Sequence, residues 1–168
     1  MFFVAVFAVL LVILDQLSKW LAVVYLSEGA SRVFIPYIIE FTYHENRGAA
    51  WGMFSDHRWV FMLTSTVAIV FIIAFLAKNI KKVHPVLTVS LTMILAGGIG
   101  NMIDRLFIGY VVDFINFLFI DFPVFNVADI CVTVGAGMML VWLLFFDLPA
   151  AIKEDKAKAS ASAKTEEK

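Results

Sequence analysis

Four long apolar runs organise this chain of 168 residues. They are Phe2 to about Leu26, Trp59 to Ala77, Pro85 to about Ile103, and Val127 to about Phe146. Each approaches the roughly 20 residues that a helix rising about 1.5 Å per residue needs to cross about 30 Å of hydrocarbon. The pattern predicts four transmembrane helices. The first run does not read as a cleaved leader: it lacks a basic n-region and carries Asp15, Gln16, Ser18 and Lys19 where small residues would mark a cleavage site. It is expected to remain as a span.

Between the first two runs, residues 27–58 alternate apolar and polar side chains in places, as in Arg32-Val33-Phe34-Ile35 and Ile39-Glu40-Phe41-Thr42-Tyr43-His44. Short strands or a small sheet lying on the membrane surface are expected there. The aromatics Phe34, Tyr37, Phe41, Tyr43, Trp51, Phe54 and Trp59 suit an interfacial belt. Residues 150–168, rich in Lys, Ala, Ser and Glu, offer no apolar face and are expected to form a disordered tail beyond a membrane domain of residues 1–149.

Composition narrows the class. With 62% hydrophobic and 16% charged residues and a mean hydropathy of +0.91, the chain has more apolar surface than one soluble core of this size buries. The single cysteine, Cys131, excludes a disulfide framework or a cysteine zinc site. His44, His57 and His84 share no metal-ligand spacing, so neither a metal nor another cofactor is expected. The net charge of -1, with basic residues scattered rather than gathered on one face, argues against nucleic acid as a partner. Lys78-Asn79-Ile80-Lys81-Lys82 carries three positive charges and no negative one. The positive-inside rule puts that connection, and with four spans both termini, in the cytoplasm.

Charged side chains inside a bilayer cost about 2.5 to 3.5 kcal/mol on insertion scales, so their position is informative. Along its helix Asp15 lies roughly 21 Å from the cytoplasmic end, and Asn101, Asp104 and Arg105 lie at roughly 24 to 30 Å on the third. Asn126 and Asp129 start the fourth helix from outside. Polar groups from three helices thus meet near the outer surface. Gly97, Asn101, Asp104 and Arg105 fall at helical spacing. Alternative readings stay open: the glycines Gly97, Gly98 and Gly100 as a packing seam, Asp15 and Lys19 as an interfacial i,i+4 ion pair, Asn126 and Asp129 as a capping box, and Asp113 as a loop charge or an Arg105 partner.

Two aspartates allow peptide hydrolysis without a metal or a nucleophilic side chain. A carboxylate pair at one site retains a proton between its members, and one then acts as base towards water while the other donates to the carbonyl oxygen. Asp113 and Asp129 are the candidates, and which of them is the base stays open. Arg105 and the amides of Asn46, Asn101 and Asn126 are candidates for orienting substrate or fixing the pair.

The motifs Asp15-Gln16-Leu17-Ser18-Lys19, Asn46-Arg47-Gly48-Ala49-Ala50-Trp51-Gly52, Gly97-Gly98-Ile99-Gly100-Asn101-Met102-Ile103-Asp104-Arg105, Val112-Asp113-Phe114 and Phe125-Asn126-Val127-Ala128-Asp129, in that order, resemble the bacterial lipoprotein signal peptidases, also called signal peptidase II. The resemblance implies an all-α membrane protein, with four transmembrane helices and a small β-rich periplasmic surface segment, in the inner membrane. It implies an aspartic endopeptidase that removes the signal peptide from diacylglyceryl-modified prolipoproteins, cleaving before the lipidated cysteine. Asp113 and Asp129 would form the catalytic dyad near the periplasmic face. Asp15, Lys19, Asn46, Asn101, Arg105 and Asn126 would line or brace the site, and Gly48 and Ala49 would sit in a loop closing over substrate. Trp51 departs from the phenylalanine common in the family. Lipid-modified prolipoproteins and membrane lipids are the expected partners, and the protein is expected to act as a monomer. Small-residue faces at Gly97, Gly98 and Gly100, or Gly135 and Gly137, are expected to admit the substrate helix.

Two other classes compete. A proton-coupled transporter would carry acids at several depths or broken helices near the midplane, whereas here the acids outside the tail cluster at one level and the second helix has none. A non-enzymatic assembly subunit would use its polar groups only as interhelical glue and would tolerate Asp to Asn changes.

Overall fold

The computed structural model describes residues 1–48 and 58–149. The expectations for Ala49, Trp51, Gly52, Phe54 and the tail lie outside these residues. Among the described residues four helices are long and apolar enough to cross a membrane: α1 (Phe2–Leu26), α2 (Arg58–Asn79), α3 (Pro85–Phe107) and α4 (Val127–Trp142). A π-helical turn, Leu143–Asp147, extends α4 so that its apolar span ends at Asp147. The third helix runs one turn beyond the expected Ile103, because Asp104 and Arg105 have partners inside the protein and need not leave the helix to find water.

Local chemistry sets the ends. Pro85 occupies the first turn of α3, where its missing N–H and fixed φ are harmless, and the His84 ring accepts a hydrogen bond from the Val86 amide. At α4 the Asn126 side chain accepts from the Asp129 amide while the Asp129 carboxylate accepts from the Asn126 amide, a reciprocal capping box.

A three-stranded antiparallel sheet, ordered β1-β2-β3, caps one end of the helices: β1 (Arg32–Ile35), β2 (Ile39–Asn46) and β3 (Val111–Phe117). Tyr37, at φ 63°, turns the chain between β1 and β2, a left-handed conformation that side chains seldom adopt. The third strand comes from outside residues 27–58. Phe125 then pairs with Ile115 through two backbone hydrogen bonds of 2.8 and 3.0 Å, which returns the chain to the start of α4.

Ala22 and Leu26 of α1 pack under the sheet against Val112 and Phe114, and Ile72 and Leu76 of α2 pack on Leu95 of α3. Between helices in lipid there is little hydrophobic driving force, so close contact and hydrogen bonds must hold them. Glycine supplies the contact. A side chain at Gly97 would run into the Ala128 carbonyl, at Gly135 into the Ser90 carbonyl, and at Gly100 into the Asp15 carboxylate. These three positions are filled by the protein's own helices, which corrects the expectation that they admit a substrate helix. The packing-seam alternative holds for Gly97 and Gly100.

Candidate active site

The site is assembled where α1, α3, α4 and the sheet meet, and α1 contributes a buried ion pair to it. Asp15 and Lys19 are 1% and 3% exposed. The Lys19 ammonium lies 2.9 Å from Asp15 Oδ2, 2.9 Å from Asp104 Oδ2, and donates to Asn101 Oδ1 at 2.9 Å. All three of its donor directions are used. The interfacial ion pair considered from sequence is therefore a buried triad that ties α1 to α3. Asp15 Oδ1 also accepts from the Ala128 amide at 2.8 Å, and Asp104 Oδ2 accepts from the Val112 amide at 3.2 Å. One carboxylate anchors α4 and the other anchors β3.

Asp113 is 1% exposed on β3, and Asp129 sits in the first turn of α4. Asp113 accepts from Asn46 Nδ2 at 2.8 Å and from Asn126 Nδ2 at 2.6 Å. It is neither a solvated loop charge nor paired with Arg105. Asp129 accepts from Asn101 Nδ2 at 2.8 Å and from the Asn126 amide at 3.1 Å. Asn126 therefore touches both carboxylates.

The three amides are held in one sense each. Asn46 Oδ1 accepts from the Gly48 amide, Asn101 Oδ1 from Lys19 and Asn126, and Asn126 Oδ1 from the Asp129 amide. With each oxygen occupied by a donor, each NH2 must turn towards the carboxylates, since a flipped amide would set donor against donor. Among the described residues no buried side-chain polar atom lacks a partner. Burial, and then the neighbouring Asp129 carboxylate, push Asp113 up to about 7, against the opposing pull of its hydrogen bonds from Asn46 and Asn126.

A cleft of about 420 Å³ opens beside Asp129, lined by Asn46, Gly48, Arg105 and the apolar side chains of Phe117, Pro123 and Phe125 among others. Arg105 bridges its rim: its guanidinium donates to the Gly48 and Asn101 carbonyls at 3.4 Å and lies 5.3 Å over the Phe61 ring. The structure thus brings together Asp15, Lys19, Asn46, Gly48, Asn101, Arg105, Asp113, Asn126 and Asp129. Two further participants were not singled out for the site from sequence. Asp104 closes the triad, and Gln16 Nε2 donates to Asp104 Oδ1 at 3.0 Å, the Gly100 carbonyl at 3.1 Å and Asp15 Oδ2 at 3.2 Å. An amide one residue from a buried acid was the available signal for Gln16. No cluster of three metal-ligating side chains occurs among the described residues.

Four apolar helices, with Asp129 facing a cleft at one end and the buried Asp113 joined to it through Asn126, define a multi-pass membrane protein equipped for acid–base hydrolysis. Comparison with known proteins gives the family. A family model described as signal peptidase (SPase) II matches residues 7–145. A lipoprotein signal peptidase of Symbiobacterium thermophilum is 40% identical over 144 residues, covering 84% of this chain and 94% of that protein. One of Streptococcus pyogenes serotype M1 is 42% identical over 139 residues, covering 80% and 88%. A bacterial membrane enzyme solved by the in meso method at 1.9 Å superposes with a TM-score of 0.78 at 32% identity, over 87% of this chain and 95% of that one. The chain belongs to the signal peptidase II family, and it is a membrane aspartic-type signal peptidase.

Proposed function

We propose that Asp113 and Asp129 are the catalytic pair with which this signal peptidase releases signal peptides from diacylglyceryl-modified prolipoproteins, cutting before the lipidated cysteine. The observation that carries this is the set of three asparagines, each with its oxygen occupied and its NH2 turned onto one of the two carboxylates. A merely structural cluster has no need to hold two acids side by side.

Asp129, at the start of α4 where the helix dipole favours negative charge, acts as base, and Asp113 carries the shared proton. Asp129 takes a proton from water as its oxygen bonds to the scissile carbonyl carbon, and Asp113 gives its proton to the carbonyl oxygen. On collapse the C–N bond breaks. Asp129 passes its proton to the leaving nitrogen, and Asp113 recovers one from the diol hydroxyl. Asn46, Asn101 and Asn126 fix the pair, Asp15 and Lys19 hold Asn101 and α4 in place, and Arg105 with the Gly48–Ala49 loop orients the peptide.

The peptidase domain comprises residues 1–149 and acts as a monomer in the inner membrane. Both termini face the cytoplasm, with residues 150–168 appended there, and the pair lies near the periplasmic face. The Lys78–Lys82 charges and the gathering of the acids at the opposite helix ends support this orientation. The test is cleavage of a diacylglyceryl prolipoprotein by purified protein in detergent, comparing wild type with Asp113→Asn and Asp129→Asn at equal folded amounts. Both variants are expected to fold and to lose activity by at least a thousandfold. Residual cleavage within tenfold of wild type by either would remove it from the pair.

A further inference from the structure

The cleft beside Asp129 takes Asp129 and Thr133 from α4, and a second cavity of about 310 Å³ takes Leu140 and Leu143, with Ile72 and Phe75 of α2 and Leu91 of α3. With Ala136 between them, Asp129, Thr133, Leu140 and Leu143 follow one another at steps of four, three, four and three, one stripe along the helix. On α2, Phe61, Ser65, Ala68, Ile72 and Phe75 repeat the same steps in the same direction. Phe61 lies against Arg105 of the upper cleft, and Ile72 and Phe75 line the lower cavity. The α4 stripe lines both cavities, the α2 stripe lines the lower one and reaches the upper through the Phe61–Arg105 contact, and midway along each is an exposed alanine, Ala68 or Ala136.

We infer that this groove between α2 and α4, rather than the filled positions Gly97, Gly100 and Gly135, receives the apolar signal helix of the substrate. The inference rests on the peptidase reading above. With the scissile bond at Asp129, the helix preceding it must run from that cleft towards the far face. Asp129 to Leu143 spans about 21 Å at helical rise, and an apolar signal core of about 7 to 15 residues spans roughly 10 to 22 Å. Lipid tails are as apolar as leucine, so a guest helix gains over lipid only by close packing. Stripes at steps of four and three present the ridges and hollows of near-parallel helix packing, and the two alanines let its backbone approach at the middle.

The test uses full-length protein in lipid nanodiscs with an intact diacylglyceryl prolipoprotein. In an Asp129→Asn background, a photoreactive benzophenone side chain replaces either Leu140 in the groove or Leu10, 58% exposed on α1. Adducts carrying the signal peptide are expected at position 140 in at least fivefold excess over position 10. In the active protein, Ala136→Phe and Ala68→Phe are expected to raise KM about tenfold with kcat within twofold and no fall in thermal midpoint, and Leu10→Phe to leave KM unchanged. Equal adducts at the two positions, or KM within twofold of wild type in both alanine variants, would overturn the groove while wild-type cleavage keeps the peptidase standing. Failure of wild type to cut a competent substrate would overturn both.

Discussion

Replacing Lys19 by methionine tests whether the buried triad holds the site together. The ammonium contacts Asp15, Asp104 and Asn101, each at 2.9 Å, in surroundings where Asp15 and Asp104 are 1% and 5% exposed. Methionine keeps the length and apolar stem but leaves two carboxylates uncompensated, changing the formal charge of the cluster from -1 to -2. Breaking a buried ion pair from one side costs about 3 to 5 kcal/mol. Unfolding in mixed micelles should register that loss. Asn101 also loses the shorter of the two bonds that fix its amide, leaving only the 3.2 Å bond from Asn126 to keep its NH2 turned towards Asp129. Displacement of this kind costs on the order of a hundredfold in rate, and it should appear in kcat more than in KM. Adding Asp104→Asn restores the cluster charge to -1 and should recover roughly half the lost stability without restoring kcat, since Asn101 still lacks the Lys19 donor. A single variant within about 1 kcal/mol of wild type would refute the reasoning, because Lys19 would then not be neutralising buried charge.

The pH dependence follows from Asp113, raised from its ordinary 3.8 to about 7. The folded site favours its protonated form; that preference is complete below about pH 4 and is lost as pH rises through 7. The kcat/KM profile should therefore fall on the alkaline side with a midpoint near 7, a value belonging to the pair. Asn46→Ala removes a hydrogen bond that favours the ionised form, so it should move this limb to higher pH; an unmoved limb would show that another group controls it. Gly97→Ala should destabilise the protein by about 1 to 3 kcal/mol through overpacking against Ala128 and Val132, and unchanged thermal unfolding would contradict the close α3–α4 contact.

The membrane spans were legible in the sequence because length and apolarity alone define them, and the Asn126–Asp129 box because its spacing is local. Strand β3 was not legible. Val111 to Phe114 are all buried, so Val111-Val112-Asp113-Phe114 shows none of the alternation that marks a half-exposed strand. Without the strand, Asp113 could equally be a loop charge. The helical spacing of Asn101 and Asp104 was visible, but their shared partner was not, since Lys19 lies 82 residues from Asn101 and only packing brings them together. The glycines gave the opposite lesson: their small size was plain, whereas whether a neighbour or a guest fills the space depends on which helices are adjacent.

The triad also bears on the order in which the chain is made. Asn101 follows Lys19 by 82 residues, about 4 to 16 s of synthesis at roughly 5 to 20 residues per second. During that interval α1 has neither Asp104 nor Asn101 to meet its ammonium. Asp15, one helical turn away and on the same face, is already there. The first helix therefore carries its own counter-ion into the bilayer, and the later arrival of α3 exchanges a provisional pair for a permanent one.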